Sequence, residues 1–289
     1  MSSTQSTTFV ACVEPHDRAS SGPTGHPTGR CLAFVQGELL IAELDNQVRF
    51  PHWDDLRRLE VLTLRYQFLG DLDDEPLWSV ELAPDFLPPD ELSLLGLRGL
   101  HGRVPDEIFA LAGRAAQIVA WDRDHQHCGR CGTQTEPVPG ERARKCPACG
   151  LISYPRLTPA IIVLIERGDE ILLARGHQFP PGRYGIVAGF VEPGESLEEA
   201  VQREIREEVG LDVTDVSYFG SQPWPFPHGI MIGFRARCAA GEIILADGEL
   251  AEAGWYNTEN LPTVPQKLSI ARRLIDAWAT EHGIVIDQP

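Results

Sequence analysis

The chain has no apolar run of about 18 residues, the length a membrane-crossing helix needs, and its first 30 residues lack the apolar centre of a secretory signal. A cytoplasmic protein is therefore expected. Positive charge is also in short supply: 25 lysines and arginines face 42 aspartates and glutamates, giving a net charge of −17 and a pI near 4.9. Such a balance repels phosphate-rich partners at long range. It disfavours broad binding to nucleic acid or anionic membranes, and an anionic substrate would need local cations or metals. A disulfide framework is missing too. Of seven cysteines, four fall in two pairs, while Cys12, Cys31 and Cys238 read as ordinary thiols, a usage that suits a reducing compartment.

What is present is enough for a sizeable core: 289 residues, 43% of them hydrophobic, predict two domains plus a small module. Residues 1–30 are rich in Ser, Thr, Gly and Pro and are expected to be a disordered tail, with His16 and His26 as solvated side chains. Residues 31–124 read as a small α+β domain. Leu32–Val35 and Leu39–Ala42 flank Gln36-Gly37-Glu38 as a hairpin, Val61–Leu69 and Trp78–Leu82 follow as strands, and helices are expected over Pro89–Leu95 and Pro105–Trp121.

Cys128-Gly-Arg-Cys131 and Cys146-Pro-Ala-Cys149 are separated by 14 residues, and Gly132 and Gly150 follow the two pairs. Four thiolates at this spacing predict a zinc ribbon over 125–153, with Cys128, Cys131, Cys146 and Cys149 closing a structural Zn²⁺ site that has no open position for catalysis. Arg130, Arg142, Arg144 and Lys145 outnumber Glu136 and Glu141 here, so the ribbon could meet phosphate; a solvated basic face is the plainer expectation.

The most constrained stretch runs from Gly189 to Leu211 within a second domain, 154–289. Five residues separate Gly189 from Glu195 and seven separate Glu195 from Arg203, after which come Glu204, Ile205, Arg206, Glu207, Glu208, Val209, Gly210 and Leu211. Ser196 with Glu199 is a capping box that starts a helix at Leu197, and Gly210 is placed to end it. Leu197, Val201, Ile205 and Val209 then form the buried stripe, with Glu208 on its edge and Glu204 and Glu207 on the same face. Carboxylates so close repel unless a hard cation such as Mg²⁺ or Mn²⁺ sits between them; the plainer alternative is a solvated helix laced by Arg203 and Arg206. The pattern resembles the Nudix hydrolase family, every fixed position of whose box is present.

Hairpin strands at Ile161–Glu166 and Glu170–Ala174, a strand leading into the box over Tyr184–Val191, strands near Val213–Phe219 and Ile230–Cys238, and a last helix near Leu268–His282 suit an α/β/α sandwich. The fold class expected is thus α/β, a Nudix sandwich preceded by a zinc ribbon and a small α+β domain.

Ser221-Gln-Pro-Trp-Pro-Phe-Pro227 carries three prolines, which predicts a stiff, extended segment presenting Trp224 and Phe226 for stacking or for packing. With the box and the ribbon, this segment resembles the NADH pyrophosphatase subfamily, over roughly residues 98–280. The resemblance implies a metal-dependent homodimer that cleaves the pyrophosphate of NADH or NAD⁺ into AMP and the nicotinamide mononucleotide and can remove NAD caps from RNA. It implies Ala188 through its carbonyl, with Glu204, Glu208 and Glu249, as ligands of the catalytic metals, and Glu207 beside them. Glu208 is nominated as base or base-ligand. Substrate contacts are implied for Arg98, Glu141, Tyr154, Phe190, Gln222, Pro223, Trp224, Pro225, Phe226, Pro227, His228, Gly229 and Ala271, with Tyr154 and Phe190 reaching one ligand from different subunits. Gly229 stands where the subfamily usually has Ser. Two alternatives stay open at this point: a Nudix diphosphatase for ADP-ribose or another nucleoside diphosphate derivative, and a non-catalytic zinc-ribbon RNA-binding protein.

Overall fold

A computed structural model describes residues 8–11, 27–245 and 248–288. The chain divides into two compact units, Met1–Arg156 and Leu157–Pro289.

In the first unit the expected hairpin forms between β2 (Arg30–Val35) and β3 (Glu38–Leu44), and its two-residue turn places Gln36 and Gly37 at φ 50° and 90°. A second hairpin joins β5 (Thr63–Leu72) to β6 (Glu75–Leu82) through Asp73 and Asp74, again both at positive φ. Turns of this kind match the right-handed twist of the strands they join; further along, the β5–β6 register shifts between Phe68 and Gly70 and between Thr63 and Arg65. The sheet runs β1-β5-β6-β2-β3-β4, where β1 is Phe9–Ala11 and β4 is Gln47–Arg49, and its centre is the parallel pair β2 and β6. Helix α1 (Trp53–Arg58) precedes β5. A short α2 (Leu97–Leu100) precedes α3 (Asp106–Asp124), which buries Leu111, Ala115, Ile118 and Val119 as its spacing predicts.

Two expectations are corrected here. Part of the supposedly disordered first segment, Phe9–Ala11, pairs with Leu72, Asp71 and Gly70 of β5; the rest of it that is not described, including Cys12, His16 and His26, lies outside the described residues. The helix expected over Pro89–Leu95 is instead strand β7 (Leu92–Leu95), antiparallel to β3. Leu92 and Leu94 alternate onto the core built around Trp53, Phe68 and Trp78, so sheet pairing decides what a short leucine run cannot.

The ribbon ends this unit. Three short strands, β8 (Glu136–Pro137), β9 (Arg144–Lys145) and β10 (Ile152–Ser153), pair in the order β10-β9-β8. Its expected basic face is partly consumed by structure. Arg144 is buried and donates to Asp122 of α3 at 2.7 Å and to Thr135, and Arg142 donates to the Phe68 carbonyl at 2.6 Å.

In the second unit, β11 (Thr158–Arg167) and β12 (Glu170–Gly176) form the expected hairpin, with Gly168 in the turn at φ 60°. The sheet runs β14-β15-β11-β12-β16, where β14 is Asp212–Trp224, β15 is Gly229–Ala240 and β16 is Leu250–Tyr256; β13 (Val187–Phe190) pairs with β11. Helix α4 (Leu197–Val209) covers one face through Val201, Ile205 and Val209, and α5 (Ile270–Glu281) covers the other through Leu274, Ile275 and Trp278. This is the α/β/α sandwich. Arg272 of α5 is wholly buried yet satisfied, donating to Asp276 and to the carbonyls of Pro265, Ile286 and Gln288. No helix among the described residues is long and apolar enough to cross a membrane.

Candidate active site

The site grows from the junction of β13 and α4. Ser196 Oγ accepts from the Glu199 amide at 3.3 Å while Glu199 Oε2 accepts from the Ser196 amide at 2.7 Å, so the helix starts at Leu197; Gly210 in the left-handed region, φ 71°, stops it. Val201, Ile205 and Val209 are fully buried and each contributes roughly 1.5–3 kcal/mol relative to exposure. That stripe fixes the helix rotation. Glu208 is thereby carried inward to 6% exposure, and Glu204 is turned onto the backbone of β13. A Cβ at position 189 would overlap the Glu204 carboxyl group, so the glycine of the box is required by this close approach.

Arg203 gathers the acidic groups. Its guanidinium donates to both carboxylate oxygens of Glu195 at 3.0 and 2.6 Å, to Glu204 at 2.9 Å, to Glu207 at 3.0 Å and to the Phe190 carbonyl at 2.9 Å. The Glu195 carboxylate also accepts from the Glu192 amide at 2.7 Å, closing the loop before the helix. These bonds, Arg203 first, draw the Glu195 pKa down to about 2. Glu204 moves the other way: burial raises its pKa against the pull of Arg203, and the charges of Glu207 and Glu249 add to the rise. The lacing by Arg203 is therefore real, but it faces the β13 junction, while Arg206 pairs outside with Asp212 at 2.7 Å.

Glu249 comes into this field from the start of β16. Between β12 and β16 the register shifts, with Arg175 opposite Glu252 and Gly176 opposite Leu250, and Arg175 donates to Glu252 at 2.6 Å while the Tyr184 hydroxyl donates to its other oxygen. A bulge of this kind re-aims the residues beside it. The donor set, carboxylates of Glu204, Glu207, Glu208 and Glu249 with the exposed Ala188 of β13, is all hard oxygen, and a half-buried Glu204 set among the like charges of Glu207 and Glu249 fits a divalent cation of the Mg²⁺ or Mn²⁺ kind. Among the described residues the carboxylates do not converge as tightly as the cysteines do.

The four cysteines converge closely. All their Sγ atoms lie within 4.8 Å of one another, with Cys128–Cys149 and Cys131–Cys146 each at 3.5 Å. A tetrahedron of thiolates about 2.3 Å from zinc has edges of roughly 3.8 Å, so the set is placed to bind one Zn²⁺. Each pair is shaped by its following glycine. Gly132 and Gly150, both at positive φ, donate to the carbonyls of Cys128 and Cys146, while the amides of Arg130 and Cys149 point at Cys128 and Cys146 sulfur.

Of the other expected site residues, Arg98, Glu141 and Tyr154 belong to the first unit. The Tyr154 hydroxyl donates to Glu141 at 3.1 Å, and Arg98 is exposed on α2. In the second unit Phe190 ends β13 with 60% of its surface exposed. The proline-rich segment is not extended throughout. Ser221–Trp224 continue β14, with Pro223 opposite Ile230 and Trp224 opposite Gly229, and the chain reverses over Pro225, Phe226, Pro227 and His228 because ladder pairing with β15 captures its first half. Trp224 and Phe226 meet edge to face at 5.2 Å. Gln222 donates to the Leu268 carbonyl and accepts from the Ile270 amide, both at 2.7 Å, so its amide staples this hairpin to α5. His228 Nδ1 lies 2.9 Å from Thr158 Oγ1, and a Cβ at Gly229 would stand 3.2 Å from the Trp224 carbonyl. Ala271 is buried in the core under α5. Sequence reasoning gave Arg203 only as lacing a solvated helix, without its hold on Glu195 and the Phe190 carbonyl, and missed the Arg175–Tyr184–Glu252 cluster. Arg203 was visible as a fixed letter of the box, whereas nothing local marks residues joined from two strands and the loop before β13.

Three family models match the chain in succession: an NADH pyrophosphatase-like rudimentary NUDIX domain over 28–121, an NADH pyrophosphatase zinc ribbon domain over 123–154 and a NUDIX domain over 156–278. A Stutzerimonas stutzeri protein named NAD-capped RNA hydrolase NudC is 48% identical over 235 residues, covering 81% of this chain and 84% of its own. The Pseudomonas aeruginosa protein of that name is 43% identical over 268 residues, 92% of this chain and 94% of its own. One from Deinococcus radiodurans is 48% identical over 212 residues, 72% of this chain and 75% of its own. With the box glutamates on one helix, the cysteines ready for zinc and these relatives spanning both units, the chain belongs to the Nudix hydrolase family, in its zinc-ribbon NADH pyrophosphatase branch.

Proposed function

We propose that this hydrolase cleaves the pyrophosphate bond of NADH or NAD⁺ to AMP and the nicotinamide mononucleotide, and removes NAD caps from RNA. The observation that carries the reading is the Glu204, Glu207 and Glu208 face of α4 held against β13 beside Glu249; the names of the relatives supply the substrate class. Divalent cations at Ala188, Glu204, Glu208 and Glu249 would neutralise the diphosphate and acidify a water. The chain's own groups do the rest. Glu208, nearly buried, accepts the proton of the attacking water, and Glu207 at the outer edge adjusts the field. Arg203 keeps Glu195 and Glu204 in place. Trp224 and Phe226 offer flat surfaces for a base or nicotinamide ring, and Gln222 fixes their hairpin on α5.

A homodimer in the cytoplasm completes the proposal. The exposed rings of Tyr154 (56%) and Phe190 (60%) support it, because large aromatics left in water gain by meeting a ligand or a second chain. The partition into 31–124, 125–153 and 154–289 is part of the same reading, supported by the successive family matches. The test is product identification after incubation of purified protein with Mg²⁺ or Mn²⁺ and NADH, NAD⁺, ADP-ribose or NAD-capped RNA. AMP with the reduced mononucleotide from NADH is expected. Cleavage of ADP-ribose alone would overturn the substrate assignment.

A further inference from the structure

The two units are strand-for-strand counterparts. Each centres on a parallel pair, β2 with β6 and β11 with β15. Each parallel partner is one arm of an antiparallel hairpin, β5–β6 and β14–β15, and each central strand starts another, β2–β3 and β11–β12. β7 pairs with β3 as β16 pairs with β12, and a long helix follows in both. His52 bridges Arg30 on the central strand just before α1, as β13 bridges β11 before α4.

At the end of the first unit that corresponds to the catalytic end of the second lies a cavity of about 750 Å³. Its walls come from matching places: the start of β2 (Arg30, Leu32), the β5–β6 hairpin (Leu72, Leu77) and the first turns of α3 (Ile108, Leu111). The volume is that of a small-molecule site, and the interior is largely apolar. The helix that carries metal-binding glutamates in the second unit is cut to six residues here, against thirteen, and the charges at the rim change sign. Arg49, Arg58, Arg30 and His52 stand there with Asp55 and Glu91. Glu75 holds Arg30 at 2.7 Å and His52 at 3.2 Å, and Asp55 holds Arg58 at 2.9 Å. Arg49 is exposed and makes no ion pair among the described residues. Phe50 lies beside it in the wall.

We propose that the first unit binds a nucleoside 5′-monophosphate in this cavity without metal and without hydrolysis. The apolar walls and Phe50 take the base and sugar, and Arg49 with the outer edge of Arg58 takes the phosphate, supplying by fixed cations what the second unit supplies through carboxylate-bound metal. The counterpart argument rests on reading the matching end of the second unit as its substrate site; the binding itself does not require turnover.

The experiment is calorimetric titration of the full-length protein with AMP, adenosine and inorganic phosphate in buffer without added divalent cations. One AMP per chain is expected, with adenosine and phosphate each much weaker. Arg49→Glu should weaken AMP by at least about tenfold, the scale of one charge-assisted hydrogen bond. Ile108→Trp, which fills the cavity from a half-buried position, should abolish it, while Trp224→Ala in the second unit leaves it unchanged. Unchanged melting temperature and NADH turnover in Arg49→Glu would show that the fold and the catalytic unit are intact. Absence of AMP binding to the native chain, adenosine or phosphate binding as tightly as AMP, or loss of binding in Trp224→Ala but not in Arg49→Glu, overturns the proposal. Failure of the hydrolase reading would show separately, as no cleavage of NADH by the native chain with metal.

Discussion

The same sheet plan is built twice in this chain, and only one copy carries the acidic helix. In the second unit α4 runs for thirteen residues, long enough to bury Val201, Ile205 and Val209 and still present Glu204, Glu207 and Glu208. In the first unit α1 has six residues; Trp53 and Leu56 anchor it, and its acids Asp54 and Asp55 are spent on Arg57 and Arg58. The loop before the helix differs as well. Between β13 and α4 it is long enough for Glu195 to reach Arg203, whereas His52 passes directly from its bridge with Arg30 into α1. On the proposed assignment of the site, what sets the two copies apart is helix length and the preceding loop, more than the sheet.

The sharpest way to break that comparison is Glu208→Gln set against Asp54→Asn. The first should lower kcat for NADH by on the order of 10² to 10⁴, the scale of a general acid-base group, and the second should leave kcat within about twofold. Equal effects would mean that the helices are not functionally distinct. Next in size is Arg144→Met. Breaking the buried pair with Asp122 leaves a carboxylate without its cation and should cost about 3–5 kcal/mol of the first unit's stability. Thermal unfolding should then show the first unit melting earlier while Mn²⁺ still stabilises the second; a single unchanged transition would show that the ribbon does not depend on this anchor.

Trp224→Ala is expected to act more mildly, by roughly tenfold in kcat/KM for NADH, and its division between KM and kcat tells whether the ring serves ground state or transition state. Unchanged kinetics would make the Trp224–Phe226 pair packing only. The smallest effect concerns acid. Glu195, held near pKa 2, contributes stability that is fully present above its ordinary carboxylate value and is lost as pH falls toward 2. The melting temperature of Glu195→Gln should therefore lie below the native value at pH 6, and the gap should close as the pH is lowered through 4. A gap that widens in acid would reverse the sign of this contribution.

Much of the second unit was legible in the sequence because its decisive signals are local. Ser196 and Glu199 start α4, Gly210 stops it, and the apolar spacing puts Glu208 on the inner edge, all within one short segment. The cysteine pairs are equally local. In the first unit the leucines of 92–95 fit helix or strand, and only the available edge of β3 settles the matter. The likeness between the units was hidden for a related reason: it lives in the order β5-β6-β2-β3-β7, which is a set of long-range pairings with no shared box. Gln222, read from resemblance as a substrate contact, spends its amide on Leu268 and Ile270, partners far along the chain.

The parallel pairs also set a timetable for synthesis. Arg30 pairs with Leu77, so the first sheet can close once 47 more residues have been made, and the whole unit through Arg156 is finished before β11 appears. Thr158 must wait for Gly229, 71 residues later, which at about 5–20 residues per second is roughly 4 to 14 s on the ribosome. During that interval the run Ile161–Ile165, five consecutive apolar residues of β11, has only β12 and then β13 beside it and keeps one long edge open. Nascent chains stalled after β13 should be the species that chaperones hold and that aggregates when they are depleted, while chains stalled just past Arg156 should already resist protease.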